Sequence, residues 1–535
     1  MALNASFPML RWRGLAIALV CLAGLAAQPA RAGQPTAAIK VSGGDIAGTH
    51  EGGINAYLGV PFAAPPTGDL RWRAPQPVVP WRGIREARQF SPACAQSVEW
   101  ITHPKSEDCL YLNVWAPGHA SHLPVIVWIH GGGMNGGTAA VPVQDGTRLA
   151  RRGAIVVTLN YRLGIFGFFA HPELSAESPD HVSGNQGILD QLAALHWVQD
   201  NIAAFGGDPG RVTIMGNSSG GESVALLVAS PLATGLFQRA IAQSGNDAMP
   251  ISPDDDHRFD QNAAAEAKGL AFAKAIGAEH LADLRKRGTK DLQQPAWLPR
   301  AHVDGHLLHS DLTTLYRNHR QNDVPLLVGW TAEEGKDLVG EILRTTTSTA
   351  AGHRGLVAEL LGHPPSDALL AAYPGTTDSA ATASLHRLVN DWWGWRMAYW
   401  AELQAEYGNA NAYVYYFAHR PAAPPTPCYW GCGAGHGVDI QYAFDNLDVD
   451  SRAWSAEDRQ LATRLAETVI QFARTGSPAA AGLPAWPAFD GSKASMQVIG
   501  NAAELQAHPL PDFSVFEPPV DNARPAPTPA TPPPR

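Results

Sequence analysis

Long apolar runs are absent from this sequence beyond its first 32 residues, so no later segment is expected to cross a lipid bilayer. At the N-terminus, two arginines precede an apolar stretch over residues 14–27, and an A-x-A cleavage motif occupies residues 30–32. This order predicts a signal peptide over residues 1–32 and an exported protein, periplasmic or secreted. A stable membrane anchor is not expected, because an anchor needs a longer apolar core and because the bulky Val20 disfavours lipoprotein processing at Cys21.

Cysteine is scarce, with five residues in a chain of 535. Removal of the predicted signal peptide leaves Cys94, Cys109, Cys428 and Cys432. An even number of cysteines in an exported protein predicts disulfides, and four cysteines allow three pairings, of which nearest-neighbour pairing is the simplest. A metal site at the C-x-x-x-C motif is disfavoured, because no second ligand pair follows at finger spacing.

Blocks of like charge are also absent, and charged residues make up 16% of the chain. The formal net charge is −10, and loss of the predicted signal peptide removes three arginines and no acid, which gives −13. An acidic protein without a basic patch does not attract nucleic acid, so no nucleic-acid partner is expected. The remaining composition, with 45% hydrophobic residues, is that of a globular protein.

Apolar, β-rich runs recur along the chain and alternate with helical patterns. Such runs are typical of strands that are buried on both faces of a largely parallel sheet. The runs are "VIVWI" (125–129), "AIVVTLNY" (154–161), "RVTIM" (211–215), "VPLLVGW" (324–330) and "AYVYYF" (412–417).

One helix is predicted over the stretch "NQGILDQLAALHWVQDNIAAFGG", whose apolar residues are spaced 4, 3, 3 and 4 apart. Asn185 is its predicted N-cap, and Gly206-Gly207 is its predicted end. The alternation of strands and helices predicts a doubly wound α/β fold. We expect one such domain over residues 33–517, followed by a Pro-rich disordered tail over residues 518–535.

Three serines lie among glycines in "MGNSSGGES" (215–223). A serine nucleophile on a sharp strand-to-helix turn needs small residues two positions before and two after it, because the strand and helix backbones nearly touch there. Only Ser218, with Gly216 and Gly220, meets this G-x-S-x-G requirement. The strand-like run before it and the apolar "SVALLVAS" after it fit a strand–turn–helix context.

A serine nucleophile also needs backbone donors for the oxyanion of its intermediate. In this arrangement one donor is the N–H of the residue after the nucleophile, here Ser219, and the others come from a glycine-rich loop after an earlier strand. "VIVWIHGGG" (125–133) has the form of such a strand and loop. The alternative is that the glycines form only a flexible turn.

Further motifs along most of the chain carry a family resemblance. They are "YLGVPFAAPPTGDLRWRAP" (57–75), "SEDCLYLNVWAP" (106–117), "VTLNYRLGIFGF" (157–168), the long stretch 185–221, "QSG" (243–245), "EEG" (333–335), "GHGVDIQYAF" (435–444) and "FARTGSP" (472–478). With these motifs the sequence resembles the type-B carboxylesterases, the α/β-hydrolase family that includes the cholinesterases. The resemblance implies an α/β-hydrolase fold, carboxylic-ester hydrolysis and a disulfide between Cys94 and Cys109.

The resemblance also implies a base and an acid for the serine. The family's catalytic histidine lies in the glycine loop that here reads "GAGHG", which assigns the role to His436. The chain order serine, acid, histidine requires a carboxylate between residues 218 and 436, and "EEGKD" offers Glu333, Glu334 and Asp337. The family's acid immediately precedes the glycine, which selects Glu334 and leaves Glu333 a structural role.

Two positions depart from the family's common G-E-S-A-G-G. Asn217 replaces a carboxylate, which predicts a pocket that is less attractive to cations, and Ser219 replaces alanine without changing its backbone donor. Asp439 is expected to tie down the histidine loop, and Ser244 resembles a hydroxyl near the histidine.

The resulting prediction is serine-dependent ester hydrolysis. Ser218 attacks the ester carbonyl with His436 as base, and the oxyanion is held by the N–H groups of Gly132, Gly133 and Ser219. Neither a cofactor nor a metal is required, and the only expected partner is a small-molecule ester of neutral or bulky character.

Other interpretations remain open at this point. The chain could be a non-catalytic binding member of the family, or a specialised lipase, polyester hydrolase or hydrolase of one plant or fungal ester. Residues 134–137, Trp330 and residues 391–395 either line an aromatic pocket or belong to the core. A tight Cys428–Cys432 disulfide would brace the histidine loop. The sequence does not indicate the oligomeric state.

Overall fold

The structure is a computed structural model of the chain. It describes residues 33–246, 262–278, 280–293, 299–424, 432–479, 485–491, 495–500 and 505–516. The predicted signal peptide, the predicted tail and Cys428 lie outside the described residues, so these expectations and the limits of the predicted domain stay predictions.

The strands of the described residues form one large sheet and two small ones. In chain order they are β1 Gln34–Pro35, β2 Ile39–Val41, β3 Gly44–Ala47, β4 Thr49–Glu51, β5 Ile54–Pro61, β6 Ile84–Glu86, β7 Ala93–Cys94, β8 Lys105–Ser106, β9 Tyr111–Pro117, β10 Leu123–Ile129, β11 Ile155–Leu159, β12 Gly207–Asn217, β13 Arg239–Gln243, β14 Leu326–Thr331, β15 Ala412–Phe417, β16 Ser495–Ile499 and β17 Leu505–Pro509.

The large sheet has 12 strands in the order β1-β4-β5-β9-β11-β10-β12-β13-β14-β15-β16-β17. Its central strands, from β11 to β16 in this order, pair in parallel, and antiparallel pairs lie at both edges. All five strands predicted from apolar runs are present as β10, β11, β12, β14 and β15. Those runs are continuously apolar because both faces of the sheet are covered. Val125, Val127 and Ile129 of β10 enter one buried cluster, whereas Ile126 and Trp128 enter another.

Helices pack on both faces of the sheet. In chain order they are α1 Thr147–Arg151, α2 Gly164–Phe168, α3 Pro172–Glu177, α4 Gln186–Asn201, α5 Ser219–Ala229, α6 Asn262–Ala275, α7 Leu281–Lys286, α8 Thr289–Leu292, α9 Leu312–Arg317, α10 Glu334–Leu343, α11 His353–Leu361, α12 Asp367–Ala372, α13 Asp378–Tyr407, α14 Val438–Ala443 and α15 Ala456–Thr475. None of the described helices is both long enough and apolar enough to span a membrane.

The predicted helix is α4, and it begins one residue after Asn185, as expected. The prediction of a side-chain cap is wrong, because the side-chain oxygen of Asn185 accepts the His302 N–H at 3.1 Å instead. Its amide nitrogen donates to the His302 carbonyl at 2.9 Å and to Asp304 at 2.8 Å. A 3₁₀ turn extends the helix to Phe205, and Gly206 ends it in the left-handed conformation with φ 83°.

The carboxyl ends of the parallel strands meet at one edge of the large sheet. The glycine loop follows β10, Ser218 follows β12, Glu334 follows β14, and the loop with His436 follows β15 along the chain. In open parallel sheets this edge is where binding sites form. The topology therefore places the residues predicted from motifs on one side of the molecule.

Candidate active site

Ser218 lies on a sharp turn between β12 and α5. Its backbone has φ 56° and ψ −129°, a conformation that a residue with a side chain rarely adopts. A Cβ on Gly216 would lie 2.3 Å from the Gly220 carbonyl oxygen, and a Cβ on Gly220 would lie 2.1 Å from the Ile129 oxygen. The two glycines are therefore required by the close approach of strand and helix, which is the physical reason for which the motif was singled out.

The glycine loop after β10 packs directly against the serine. A Cβ on Gly131 would lie 3.0 Å from the Cβ of Ser218. Gly132 and Gly133 both have positive φ, 116° and 63°. Within the described part of the chain, the backbone N–H groups of Gly132, Gly133 and Ser219 donate no hydrogen bond to the protein. These three donors are available to an oxyanion beside Ser218.

The far end of the glycine loop is held by a residue that no motif indicated. The side-chain amide of Gln96 donates to the Gly137 carbonyl at 2.7 Å and accepts from the Gly137 N–H at 2.9 Å. Within the loop, the His130 ring contacts the Gly131 carbonyl at 2.9 Å through Nδ1. Burial lowers the pKa of His130 to about 4, so its ring is neutral near neutral pH and adds no charge beside Ser218.

Glu334 and His436 form a buried pair. Glu334 Oε2 lies 2.5 Å from His436 Nδ1, and the two side chains are 0% and 5% exposed. The other oxygen of the carboxylate accepts from the Thr331 N–H at 2.8 Å, and the Glu334 N–H donates to the Asn390 side chain at 3.0 Å. The carboxylate is thus fixed on the Nδ1 side of the ring, which makes Nε2 the proton acceptor of the neutral imidazole.

Two opposing effects set the proton affinity of the histidine. Burial alone lowers the pKa of His436, but the charge and hydrogen bond of Glu334, with smaller contributions from Glu341 and Asp439, raise it above the ordinary value. A net rise means that the fixed carboxylate outweighs desolvation. The arrangement therefore favours the imidazolium that forms when the ring takes a proton.

Neighbouring carboxylates hold the backbone of the histidine loop. Glu333 accepts from the Ala434 N–H at 2.8 Å, and Asp337 accepts from the His436 N–H at 2.9 Å. Of the three acids that the sequence offered, Glu334 is the one hydrogen-bonded to the His436 ring. Glu333 has the structural contact expected of it.

Asp439 ties α14 to two strands of the sheet. It accepts from Gln243 Nε2 of β13 at 3.0 Å and from the Tyr415 hydroxyl of β15 at 2.6 Å. Burial raises the pKa of Asp439 to about 6. The hydroxyl of Ser244 is buried and makes no hydrogen bond within the described residues.

The serine turn and the histidine loop are adjacent in space. The side-chain oxygen of Asn217 lies 3.4 Å from the position that a Cβ on Gly437 would occupy. On the other side, the Trp393 ring meets the His436 ring edge to face at 6.1 Å between centroids. Trp330 is 1% exposed and packs on Tyr416, so of the predicted aromatic residues Trp330 belongs to the core.

Known proteins resemble this chain over most of its length. The sequence profile described as "Carboxylesterase family" matches residues 35–510. The chain belongs to the carboxylesterase family. The esterase is 36% identical over 476 residues to the fumonisin B1 esterase of Sphingopyxis macrogoltabida, and the match covers 82% of each chain.

A second relative and a solved structure also support membership of the carboxylesterase family. The esterase is 35% identical over 489 residues to the para-nitrobenzyl esterase of Bacillus subtilis (strain 168), with 87% of this chain and 95% of the relative covered. A solved structure titled PNB esterase superposes with a TM-score of 0.75 at 32% identity, covering 89% of this chain and 98% of that one. The protein is thus a serine carboxylic-ester hydrolase with the α/β-hydrolase fold.

One of the two predicted disulfides of the esterase lies entirely within the described residues. Cys94 and Cys109 form a disulfide. Cys432 is also disulfide-bonded, but Cys428 lies outside the described residues, so the Cys428–Cys432 pairing stays a prediction. Among the described residues, no group of three or more histidine, cysteine or acidic side chains is placed to hold a metal.

Sequence reasoning missed two residues that support the site of the esterase and left the role of a third open. Gln96 and Asn390 contact the glycine loop and the acid, and Trp393, one of residues 391–395, contacts the histidine. None of them lies in a motif near the residue that it supports. Asn390 and Trp393 both belong to the long helix α13, and the aromatic run over residues 391–395 is the part of this helix that the sequence indicated.

Proposed function

We propose that Ser218, His436 and Glu334 form the catalytic triad of this esterase. The observation that carries the proposal is the 2.5 Å contact between two buried groups, Glu334 at the start of α10 and His436 on the loop adjacent to the Ser218 turn. His436 takes the proton of the Ser218 hydroxyl as the oxygen attacks the ester carbonyl, and then gives it to the departing alcohol. Water repeats the sequence on the acyl-enzyme, and the carboxylic acid leaves.

The oxyanion of each tetrahedral intermediate lies against the N–H groups of Gly132, Gly133 and Ser219. This role is supported by the positive φ of both glycines and by the lack of other acceptors for these N–H groups in the described residues. A donor of this kind is typically worth about 3 kcal/mol at the transition state.

Substitution of the nucleophile tests the proposal. Ser218→Ala is expected to lower kcat for a neutral p-nitrophenyl ester by roughly 10⁵-fold or more, because the remaining site retains only positioning and oxyanion binding. Ser183→Ala, which removes another buried serine hydroxyl, is the matched control and is expected to keep turnover within about twofold. Turnover like that of the wild type in Ser218→Ala would end the proposal.

The preferred substrates are neutral or bulky esters. Asn217 supports this proposal, because a neutral, buried amide that donates to the Gln243 carbonyl at 3.3 Å replaces a carboxylate beside the nucleophile. We expect similar kcat/KM for a cationic ester and a neutral ester of matched shape. A preference of more than about tenfold for the cation contradicts this assignment.

A narrower substrate range is the second candidate, favoured by the 36% identity to a fumonisin B1 esterase. A panel of fumonisin B1, para-nitrobenzyl esters and p-nitrophenyl esters of increasing acyl length distinguishes the two. Dedicated activity gives a kcat/KM for one of these esters at least about 100-fold above the rest. Comparable values across the panel support the broader esterase.

Export from the cytoplasm is part of the proposal. The disulfide between Cys94 and Cys109 supports an oxidising compartment, and the N-terminal 32 residues have the order of a signal peptide. The mature protein should begin at Gly33 and be recovered from the periplasm or the medium. N-terminal sequencing that finds residues 1–32 intact on the active protein would contradict this.

A further inference from the structure

The hydroxyl of Ser219 binds the glycine loop. Its Oγ accepts the backbone N–H of Met134 at 3.0 Å, and both residues are at most 2% exposed. Alanine, which the family commonly has at this position, has no atom that could accept this bond. Serine in place of alanine at position 219 therefore adds a hydrogen bond between α5 and the glycine loop.

Tyr161 extends this connection to the other end of the loop. Its hydroxyl donates to the His130 carbonyl at 3.1 Å, and its ring stacks on the His130 ring at 4.6 Å between centroids. Tyr161 therefore holds the loop at His130, and Ser219 holds it at Met134.

The two hydroxyls thus hold the segment 130–134 at both of its ends. One end of the segment is held through the carbonyl of His130 and the other through the N–H of Met134. The carbonyl of Met134 is fixed in turn by the N–H of Gly164 at 2.7 Å. Gly132 and Gly133 lie between the held ends, and Met134 itself has a positive φ of 58°.

We propose that Ser219, through its hydroxyl, and Tyr161 are positioning residues that set the N–H groups of Gly132 and Gly133 against the N–H of Ser219. The inference rests on the proposed function, because it concerns the same three donors. Ser219 supplies one donor from its backbone and fixes the loop that supplies the others with its side chain. Ser219 therefore links its own N–H donor to the loop that carries the other two donors.

The kinetic consequence follows from where the donors act. Hydrogen bonds to an oxyanion strengthen as charge develops, so a displaced glycine loop loses transition-state stabilisation more than substrate binding. Loss of the Ser219 hydroxyl should lower kcat and leave KM nearly unchanged. If the hydroxyl were purely structural, its loss would lower the melting temperature without lowering kcat selectively.

The experiment compares Ser219→Ala, Tyr161→Phe and the double variant with the wild type on one p-nitrophenyl ester. Each single variant is expected to lower kcat by about 10- to 100-fold, less than the loss of a whole donor, with KM within about threefold. The double variant should lose little more than either single variant, because either change alone frees one end of the same short segment and displaces the same two N–H groups. A trifluoromethyl ketone, which forms a tetrahedral oxyanion adduct on serine, should bind more weakly in proportion to the loss in kcat/KM.

Ser183→Ala is the matched control. Its hydroxyl is likewise buried and accepts a backbone N–H, that of His171 at 3.1 Å, but it belongs to the packing of α3. It should change the melting temperature about as much as Ser219→Ala does and leave kcat and the inhibitor affinity unchanged. Unchanged kcat in Ser219→Ala, or multiplied losses in the double variant, would overturn the inference. If the wild type and Ser218→Ala instead had equal turnover, the proposed function itself would fail.

Discussion

At the scale of single residues, the charge of Glu334 decides the protonation of His436. Burial of the ring lowers its pKa, and the carboxylate at 2.5 Å more than offsets this effect. The imidazole has to be neutral to accept the Ser218 proton. The acidic limb of the activity profile therefore reports the raised pKa of His436.

Glu334→Gln should change both the rate and its pH dependence. We expect kcat to fall by roughly 10³- to 10⁴-fold, because the amide does not stabilise the imidazolium. The acidic limb of kcat/KM should move to lower pH, since the carboxylate that raises the pKa of His436 is gone. Rates measured between pH 5 and 9 test both effects.

Glu333→Gln is the control for this prediction. Glu333 accepts the Ala434 N–H but does not touch the histidine ring, so we expect a loss of less than about tenfold and an unmoved acidic limb. A shift of the limb to higher pH in Glu334→Gln would contradict the assignment of the acid.

At the scale of elements, the packing of α5 against β12 and β10 leaves no room for side chains at Gly216 and Gly220. The Cβ positions of Gly216 and Gly220 lie within 2.3 Å of backbone oxygens, which cannot move without shifting a strand or a helix. The turn that exposes Ser218 thus depends on these two glycines as much as on the serine.

Gly216→Ala should therefore destabilise the packing of β12 against α5 as well as lower the activity of the site. We expect a loss of about 3 kcal/mol in the free energy of unfolding together with a fall in kcat, because the strand or the helix has to shift. Urea unfolding and steady-state kinetics measure the two losses. Wild-type stability and turnover in this variant would show that the packing is looser than described.

Gly355→Ala is the matched control. Gly355 lies in α11 and a Cβ there meets no atom within 4 Å. The change should be neutral or stabilise the protein by up to about 1 kcal/mol, because alanine is the better helix former.

At the scale of the whole molecule, buried Asp439 makes stability depend on pH. Its pKa is raised to about 6, so the folded protein holds this proton more tightly than the unfolded chain does. The resulting stabilisation is complete below about pH 4 and is lost as the pH rises through about 6. A shift of about two pKa units corresponds to roughly 3 kcal/mol.

Asp439→Asn isolates this contribution. The free energy of unfolding of the wild type, relative to that of the variant, should fall by up to roughly 3 kcal/mol between pH 4 and pH 6.5. Urea unfolding of both proteins at half-unit intervals measures the difference. A difference that does not change with pH would show that Asp439 is ionised throughout.

The strands of the large sheet and the serine turn can be predicted from the sequence because local patterns determine them. The apolar runs of β10, β11, β12, β14 and β15 show burial on both faces, and G-x-S-x-G reflects a steric requirement that the glycine distances confirm. In contrast, Gln96 and Tyr161 act on residues far along the chain, and neither lies in a pattern that reveals its partner. Asn185 fails as a capping side chain because its oxygen accepts the N–H of the distant His302 instead.

The central claim is that the Ser218 hydroxyl is activated by the His436–Glu334 pair. The most direct test is the rate at which a fluorophosphonate labels the protein, with the labelled residue located by mass spectrometry. We predict one label per chain, on Ser218, and a labelling rate at least about 10³-fold lower in His436→Ala. A label on another residue, or an unchanged rate without the imidazole, would contradict the account.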